Sequence, residues 1–291
     1  NGPSDEDYRR GDLTGVPAYS RDELVRAIGE AHELWMKVAG HAIEAAAGDA
    51  AAVRRLRRQA FDVLVTAPDT DLDEDAAILD EVRLARPGVR IVLLAPRTTP
   101  ELVIEALRKR VFACFSAPFD PSEIADMLCR ALEAGDWKDG IEVLSATPDW
   151  INVRVNCRLL SAERLVNFLT ELRSDVPEAP RDDFMFAFRE VLMNAMEHGG
   201  GFDPDQVVEV TAVRTARTLV FHLRDPGPGF DMAALRHAAV TRPDDPLAVA
   251  ETREHDGLRP GGFGLLLARK IVDEMLYSER GNEVILIKHL E

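Results

Sequence analysis

The sequence predicts two domains, a doubly wound α/β domain followed by an α+β sandwich, and three observations carry that prediction. Up to about residue 134, short unbroken apolar runs alternate with amphipathic helical stretches, the pattern of parallel strands covered on both faces. Gly135-Asp-Trp-Lys-Asp-Gly140 is rich in turn residues and reads as a linker. From residue 151 the strands alternate instead, with Ile151, Val153, Val155 and Cys157 on one face and Asn152, Arg154, Asn156 and Arg158 on the other. The 291 residues exceed the ~100–150 of a typical domain, which also favours two cores.

The elements follow in order. Residues 1–20 are polar and read as an irregular lead-in. Ser20-Arg-Asp-Glu is a capping-box signature, and apolar residues at helical spacing run from Leu24 to about Val38. A short strand is expected at Ala42–Ala46, then a helix capped by Asp49 and reaching Gln59. Phe61-Asp-Val-Leu-Val-Thr-Ala and Val89-Arg-Ile-Val-Leu-Leu-Ala read as buried strands, with a helix over Ala76–Ala85 between them. A helix at Pro100–Arg110, a strand at Val111–Ser116 and a helix at Pro121–Glu133 complete the domain, whose crossovers should be right-handed.

With 135–148 as linker, the second domain is expected over 149–291. Ser161-Ala-Glu-Arg should start a helix to Arg173, and Arg181–His198 a longer one. Val207–Val213 and Thr218–Arg224 should pair antiparallel, with a helix at Gly262–Met275 and a last strand at Glu283–His289.

Composition bounds the chemistry. The apolar fraction of 46% and the charged fraction of 30% are those of a globular chain that buries cores. A net charge of −16 repels phosphate backbones and anionic lipid, so no nucleic-acid partner is expected. Cys114, Cys129 and Cys157 are odd in number and lack metal-ligand spacing, which argues for reduced thiols rather than disulfides or zinc. No apolar run reaches the ~20 residues of a membrane helix and the opening residues are unlike a signal peptide, so a cytoplasmic protein is expected. The lack of an initiator Met reads as a trimmed start.

The helix Asp182–His198 is apolar almost all round, the mark of a buried helix, yet Glu190, Asn194 and Glu197 recur at i, i+4 and i+7 on one strip. An unpartnered carboxylate and amide there would cost several kcal/mol, so the strip should meet a metal, a ligand or a polar network. Asp225-Pro-Gly-Pro-Gly-Phe230 follows a strand, and Gly227 and Gly229 remove side chains where a backbone would approach a ligand. Arg259-Pro-Gly-Gly-Phe-Gly264 opens a helix, whose exposed amides suit phosphates.

Two resemblances arise from these residues. Over Arg21 to Glu133, Phe61-Asp-Val-Leu-Val-Thr, Ile91-Val-Leu-Leu-Ala and Phe115-Ser-Ala-Pro-Phe-Asp are similar to a response-regulator receiver domain, a flavodoxin-like fold. The receiver's phosphoacceptor Asp is replaced by Ala67, its Thr or Ser by Ala95 and its Lys by Ala117, and its first strand with the acidic pair is not visible. Domain 21–134 is therefore read as a pseudo-receiver, a docking or dimerising module, with Asp69, Asp71 and Asp73 as a solvated acidic loop.

The order Glu190-x-x-x-Asn194-x-x-x-His198, Asp225-x-Gly227-x-Gly229 and Gly262-x-Gly264 resembles the Bergerat-type ATP-binding fold of gyrase, chaperone, histidine-kinase and mismatch-repair ATPases. The resemblance implies Mg²⁺ at Asn194, Glu190 as general base and Asp225 reading the adenine amine. It further implies Gly227, Gly229, Gly262, Phe263 and Gly264 around base and phosphates, Glu197 and His198 beside them, and Asp231–Pro260 as an ATP lid bearing Arg242, Arg253 and Arg259. His198 reads equally as a structural hydrogen bond at the helix end.

No paired helices carry a phosphoacceptor: His32 and His41 sit in the first domain without them. The compact second domain, Glu190-Val-Leu-Met-Asn-Ala-Met-Glu-His-Gly and the ending Arg280-Gly-Asn-Glu-Val-Ile-Leu-Ile-Lys-His-Leu look like anti-sigma-factor serine/threonine kinases. The expectation is a Mg-ATP-dependent kinase whose protein partner, by the resemblance, is a STAS-type antagonist or a sigma-like factor, as a possible homodimer. The alternatives are a nucleotide-dependent binding switch with little turnover, or a plain ATPase.

Overall fold

A computed structural model describes residues 41–42, 44–66, 72–135, 138–229 and 263–290, without the side chains of 72–77 and 263. The lead-in, the helix expected at Leu24–Val38, Ala67, Asp69, Asp71, the Asp73 side chain and the Asp231–Pro260 segment with its arginines lie outside what is described. The chain divides into two compact units, Asn1–Lys138 and Asp139–Glu291.

The first unit contains α1 (Asp49–Arg58), β1 (Val63–Val65), α2 (Leu72–Ala85), β2 (Arg90–Ala95), α3 (Pro100–Arg108), β3 (Ala113–Ser116) and α4 (Pro121–Glu133). Its three described strands run parallel in the order β1-β2-β3, with Leu64 opposite Ile91 and Leu93 opposite Cys114. Parallel neighbours need crossovers, and α2 and α3 supply them. The described strands follow chain order and among them no reversal of winding occurs. Every residue of β2 is buried, as its unbroken apolar run requires.

Helix starts follow local chemistry. Thr99 Oγ1 accepts from the Leu102 amide and Pro100 takes the first turn of α3; Asp120 accepts from the Ser122 amide ahead of Pro121 in α4. The expected strand at Ala42–Ala46 does not form over its described residues, which are irregular and exposed. Glu44 instead reaches α1, where Arg55 and Gln59 donate to its carboxylate.

The second unit comprises β4 (Ile141–Thr147), β5 (Trp150–Asn156), α5 (Leu159–Leu172), α6 (Glu178–Asn194), a π-helical turn (Ala195–Gly199), β6 (Val207–Arg214), β7 (Thr218–Arg224), α7 (Phe263–Ile271), β8 (Glu274–Tyr277) and β9 (Glu283–His289). Its six strands form one antiparallel sheet, β4-β5-β6-β7-β9-β8. Phe221 on β7 meets Phe184 and Phe188 of α6 edge-on, at 4.9 Å between ring centres in both pairs. That contact fixes which sheet face carries the helices, and Ile151, Val153, Val155, Val208, Val210 and Leu286 are fully buried.

Four expectations are corrected. The 135–148 linker contains β4, hidden from alternation by an irregularity between Val143 and Ser145. The helix expected from Ser161 begins at Leu159, with Ser161 buried inside it. The helix expected from Arg181 begins at Glu178, directly after Pro177. The helix expected to reach Met275 stops at Ile271, because the Asp273 amide donates to Ile287 O at 2.9 Å and Lys288 Nζ donates to Ile271 O at 3.0 Å, handing the chain to the sheet as β8.

Candidate functional site

The end of β7 and the end of α6 meet at Asp225. The strand holds Asp225 by its backbone, whose amide donates to Asn282 O at 3.0 Å across from the start of β9. The side chain turns back to accept from the Gly227 amide at 2.8 Å, an Asx turn that closes the Pro-Gly loop. On its other side lies the π turn. A Cβ built on Gly199 would sit 2.3 Å from Asp225 Oδ1, and one on Gly227 would sit 2.8 Å from Gly199 Cα. Only two side-chain-free residues allow this approach. Burial raises the Asp225 pKa above the ordinary carboxylate value, while the Gly227 hydrogen bond and the nearby Arg280 charge pull it back.

Gly200 rests on Cys157, where a Cβ would come 2.2 Å from Sγ. Burial, with Asp203 and Asp225 adding negative charge, pushes the Cys157 thiol up to about 11, so it is protonated and apolar at neutral pH. Gly229 has φ +81°, and a Cβ there would fall 1.9 Å from Arg280 O. Arg280 Nε also donates to Pro228 O at 3.2 Å, so the turn between β8 and β9 straps the glycine loop in place.

Glu190 and Asn194 lie one helical turn apart and are both half-buried. Gly264, in the first turn of α7, packs on Glu190 so closely that a Cβ would reach 1.9 Å from Oε2. Arg189 donates to Glu190 Oε1 at 3.4 Å. The structure thus joins Glu190 with Gly264, and Asp225 with Gly227 and the 280–282 turn, with Asn194 at the junction between helix and π turn.

Glu197 and His198 stand apart. The π turn begins directly after Asn194, so the i, i+4, i+7 spacing no longer holds and both residues are exposed. Gly262 and the Phe263 side chain lie outside the described residues. Gly199, Cys157, Arg280 and Asn282 were not singled out as site residues from sequence. The run Gly199-Gly-Gly201 at a helix end was a signal for the first of them; the others act by backbone or burial and carry none.

The arrangement suits a purine nucleotide. Asp225 is a half-buried acceptor with one oxygen held by Gly227, and Gly199 and Gly227 bring no side chain of their own against it. Among the described residues no group of three or more His, Cys, Asp or Glu is placed to hold a metal. A Mg²⁺ at Asn194 would take its other oxygens from phosphates and water, which is how that ion is commonly held. Among the described residues no helix is long and apolar enough to cross a membrane.

A solved response regulator receiver domain protein (CheY-like) from Methanospirillum hungatei JF-1 is similar at 17% identity and a TM-score of 0.32, covering 37% of this chain and 86% of that one. No curated protein matches. Residues 157–288, which span every site residue described above, match the family described as histidine kinase-like ATPase domain, so the second unit carries an ATPase domain of the histidine kinase-like type.

Proposed function

We propose that this chain is a Mg-ATP-dependent serine/threonine protein kinase of a partner-switching system, phosphorylating a STAS-type antagonist and binding a sigma-like factor. The observation that carries the reading is the Glu190 carboxylate, set against Gly264 at the start of α7 and one turn from Asn194. Phosphoryl transfer to a hydroxyl needs positioning, charge neutralisation and an acceptor for the hydroxyl proton. Glu190 takes that proton as the serine or threonine oxygen bonds to the γ-phosphorus and ADP leaves. Asp225 accepts from the adenine amine, and Asn194 would offer one oxygen to a Mg²⁺ ion, which would supply neutralisation of the phosphate charge.

In this reading the first unit serves as a docking module. Ala95, where the receiver family has a hydroxyl residue, is buried at the end of β2 and offers no group for phosphoryl chemistry.

The test titrates Mg-ATP into the protein and its Asn194→Ala variant, then adds γ-labelled ATP with a candidate antagonist. Binding lost in the variant, with label on a serine or threonine of the antagonist, supports the kinase. Binding without transfer makes the chain a nucleotide-dependent switch, and phosphate release without transfer a plain ATPase.

A further inference from the structure

Glu190 carries a charge that its own task opposes. As acceptor of the hydroxyl proton it must stand beside the terminal phosphate of ATP, and two negative groups at that range repel one another. The elements fix where this happens. Asp225 meets Gly199 in the turn directly after α6, Asn194 closes the helix, and Glu190 lies about 6 Å back along its axis at ~1.5 Å per residue. A nucleotide with its base at Asp225 therefore lays its phosphates along α6, with the terminal one at Glu190.

Cations around that point are few among the described residues. One turn to either side of Glu190 on α6 stand Phe186, Ala187, Met193 and Asn194, all uncharged. On α7, which packs against Glu190 at Gly264, residues 263–268 are apolar or glycine, and the basic Arg269 and Lys270 come only in the last turn. Arg189 is the exception. Neighbouring residues on a helix do not face one another, yet this side chain bends over the next one, so that Nη1 donates to Glu190 Oε1 at 3.4 Å. The contact is long, and the Arg189 side chain is 43% exposed against 26% for Glu190. Such a pair is weak, because water competes for both ions. A guanidinium carries its N–H donors in a planar fork and bonds phosphate in bidentate fashion, so a terminal phosphate arriving at Glu190 offers Arg189 a better partner than the carboxylate.

We propose that Arg189 is a two-position residue that rests on Glu190 when no nucleotide is bound and moves onto the terminal phosphate of ATP. The move has two effects. It offsets the repulsion between phosphate and carboxylate, and it takes a hydrogen-bond donor off Glu190, leaving Oε1 open to the acceptor hydroxyl. ADP lacks that phosphate, so with ADP the side chain stays on Glu190 and adds nothing to binding. Arg189 thereby distinguishes ATP from ADP. This rests on the Mg-ATP part of the function proposed above and not on the identity of the protein acceptor.

The experiment uses the full chain and calorimetry with two probes in Mg²⁺, ADP and the β,γ-imido analogue of ATP, which is not hydrolysed. Arg189→Ala is expected to lower the preference for the triphosphate over ADP by about tenfold, the loss of one charge-assisted contact, with ADP affinity unchanged. Arg189→Lys, which keeps the charge without the fork, should retain part of the preference, and Arg189→Gln none of it. The position is exposed and alanine favours helix, so the variants should keep the wild-type far-UV circular dichroism, and Arg189→Gln replaces Arg189→Ala if the latter misfolds. In a Glu190→Gln background Arg189→Ala is expected to cost the same factor, since the contact is with phosphate. If the factor disappears in that background, Arg189 acts through Glu190 and the proposal falls. It falls equally if Arg189→Ala weakens both probes alike or neither, results that leave nucleotide binding itself standing. A wild-type protein that binds neither probe overturns the ATP reading and this inference together.

Discussion

Gly199 stands so close to Asp225 that a single methyl group on it would lie 2.3 Å from the carboxylate oxygen. The end of one element and the end of another are thereby brought together around an acid that burial makes harder to ionise. Gly199→Ala should displace the Asp225 side chain, or the π turn, and weaken ATP binding by tenfold or more, about 1.4 kcal/mol. Titration calorimetry checks it. Unchanged affinity would mean that Asp225 does not touch the nucleotide.

Gly264→Ala tests the other end of the site. Its Cβ would collide with Glu190 Oε2, the tip of a flexible side chain, so the fold should accommodate it while the carboxylate moves. A misplacement near 1 Å at a reacting group can cost ~10²-fold in rate. The expected result is phosphoryl transfer reduced by about that factor with ATP affinity changed little. Equal losses in both would place Gly264 at the phosphates rather than behind the base.

Much of this arrangement was legible in the sequence, and the reasons for the rest are physical. Glu190, Asn194, Asp225 and the glycines at 227, 229 and 264 are read from side-chain type and spacing. Spacing assumes a regular helix, however, and the π turn after Asn194 removes Glu197 from the strip that a 100° period would give it. Asn282 meets Asp225 through its carbonyl, and Arg280 meets Gly229 through its own, contacts that residue identity does not encode. Strand β4 was concealed by its irregularity, and β8 by a helical pattern that ends only where Lys288 and Ile287 from the adjoining strand capture residues 271–273. The apolar run of β2 was readable because a strand buried on both faces has no polar phase to lose, whereas β1, also expected to be buried, is half-buried with Val65 37% exposed.

The raised pKa of Asp225 has a consequence for stability. A carboxylate easier to protonate in the folded state than in the unfolded chain lets the fold bind more protons, so this group's contribution falls as pH rises through the window between the two values. At neutral pH the ionised form opposes folding. Asp225→Asn should therefore melt at or above the wild-type temperature at pH 7 without nucleotide, and this advantage should shrink as pH falls through the folded pKa and vanish below the unfolded value. Nucleotide should no longer raise the melting temperature of the variant. A variant less stable than wild type at pH 7 would show that the charge makes a favourable contact outweighing its burial.

The start of the second unit is anchored by a buried ion pair, Asp139 to Arg164 at 2.9 Å, with the Arg164 side chain 1% and the Asp139 side chain 8% exposed. Burial lowers the Arg164 pKa and the neighbouring Asp139 charge restores part of it, so the guanidinium depends on this partner. Gly140 adds a steric seal, since a Cβ there would lie 2.2 Å from Ser161 Oγ and 2.3 Å from Asn156 Oδ1. Removing one member of a buried pair typically costs ~3–5 kcal/mol, whereas replacing both by apolar groups of similar volume is often neutral. Asp139→Ala should lower the unfolding free energy by about 3 kcal/mol or more in urea, and Arg164→Met combined with Asp139→Ala should recover most of the loss. A double variant as unstable as the sum of the two single ones would mean that Arg164 is held by contacts other than Asp139.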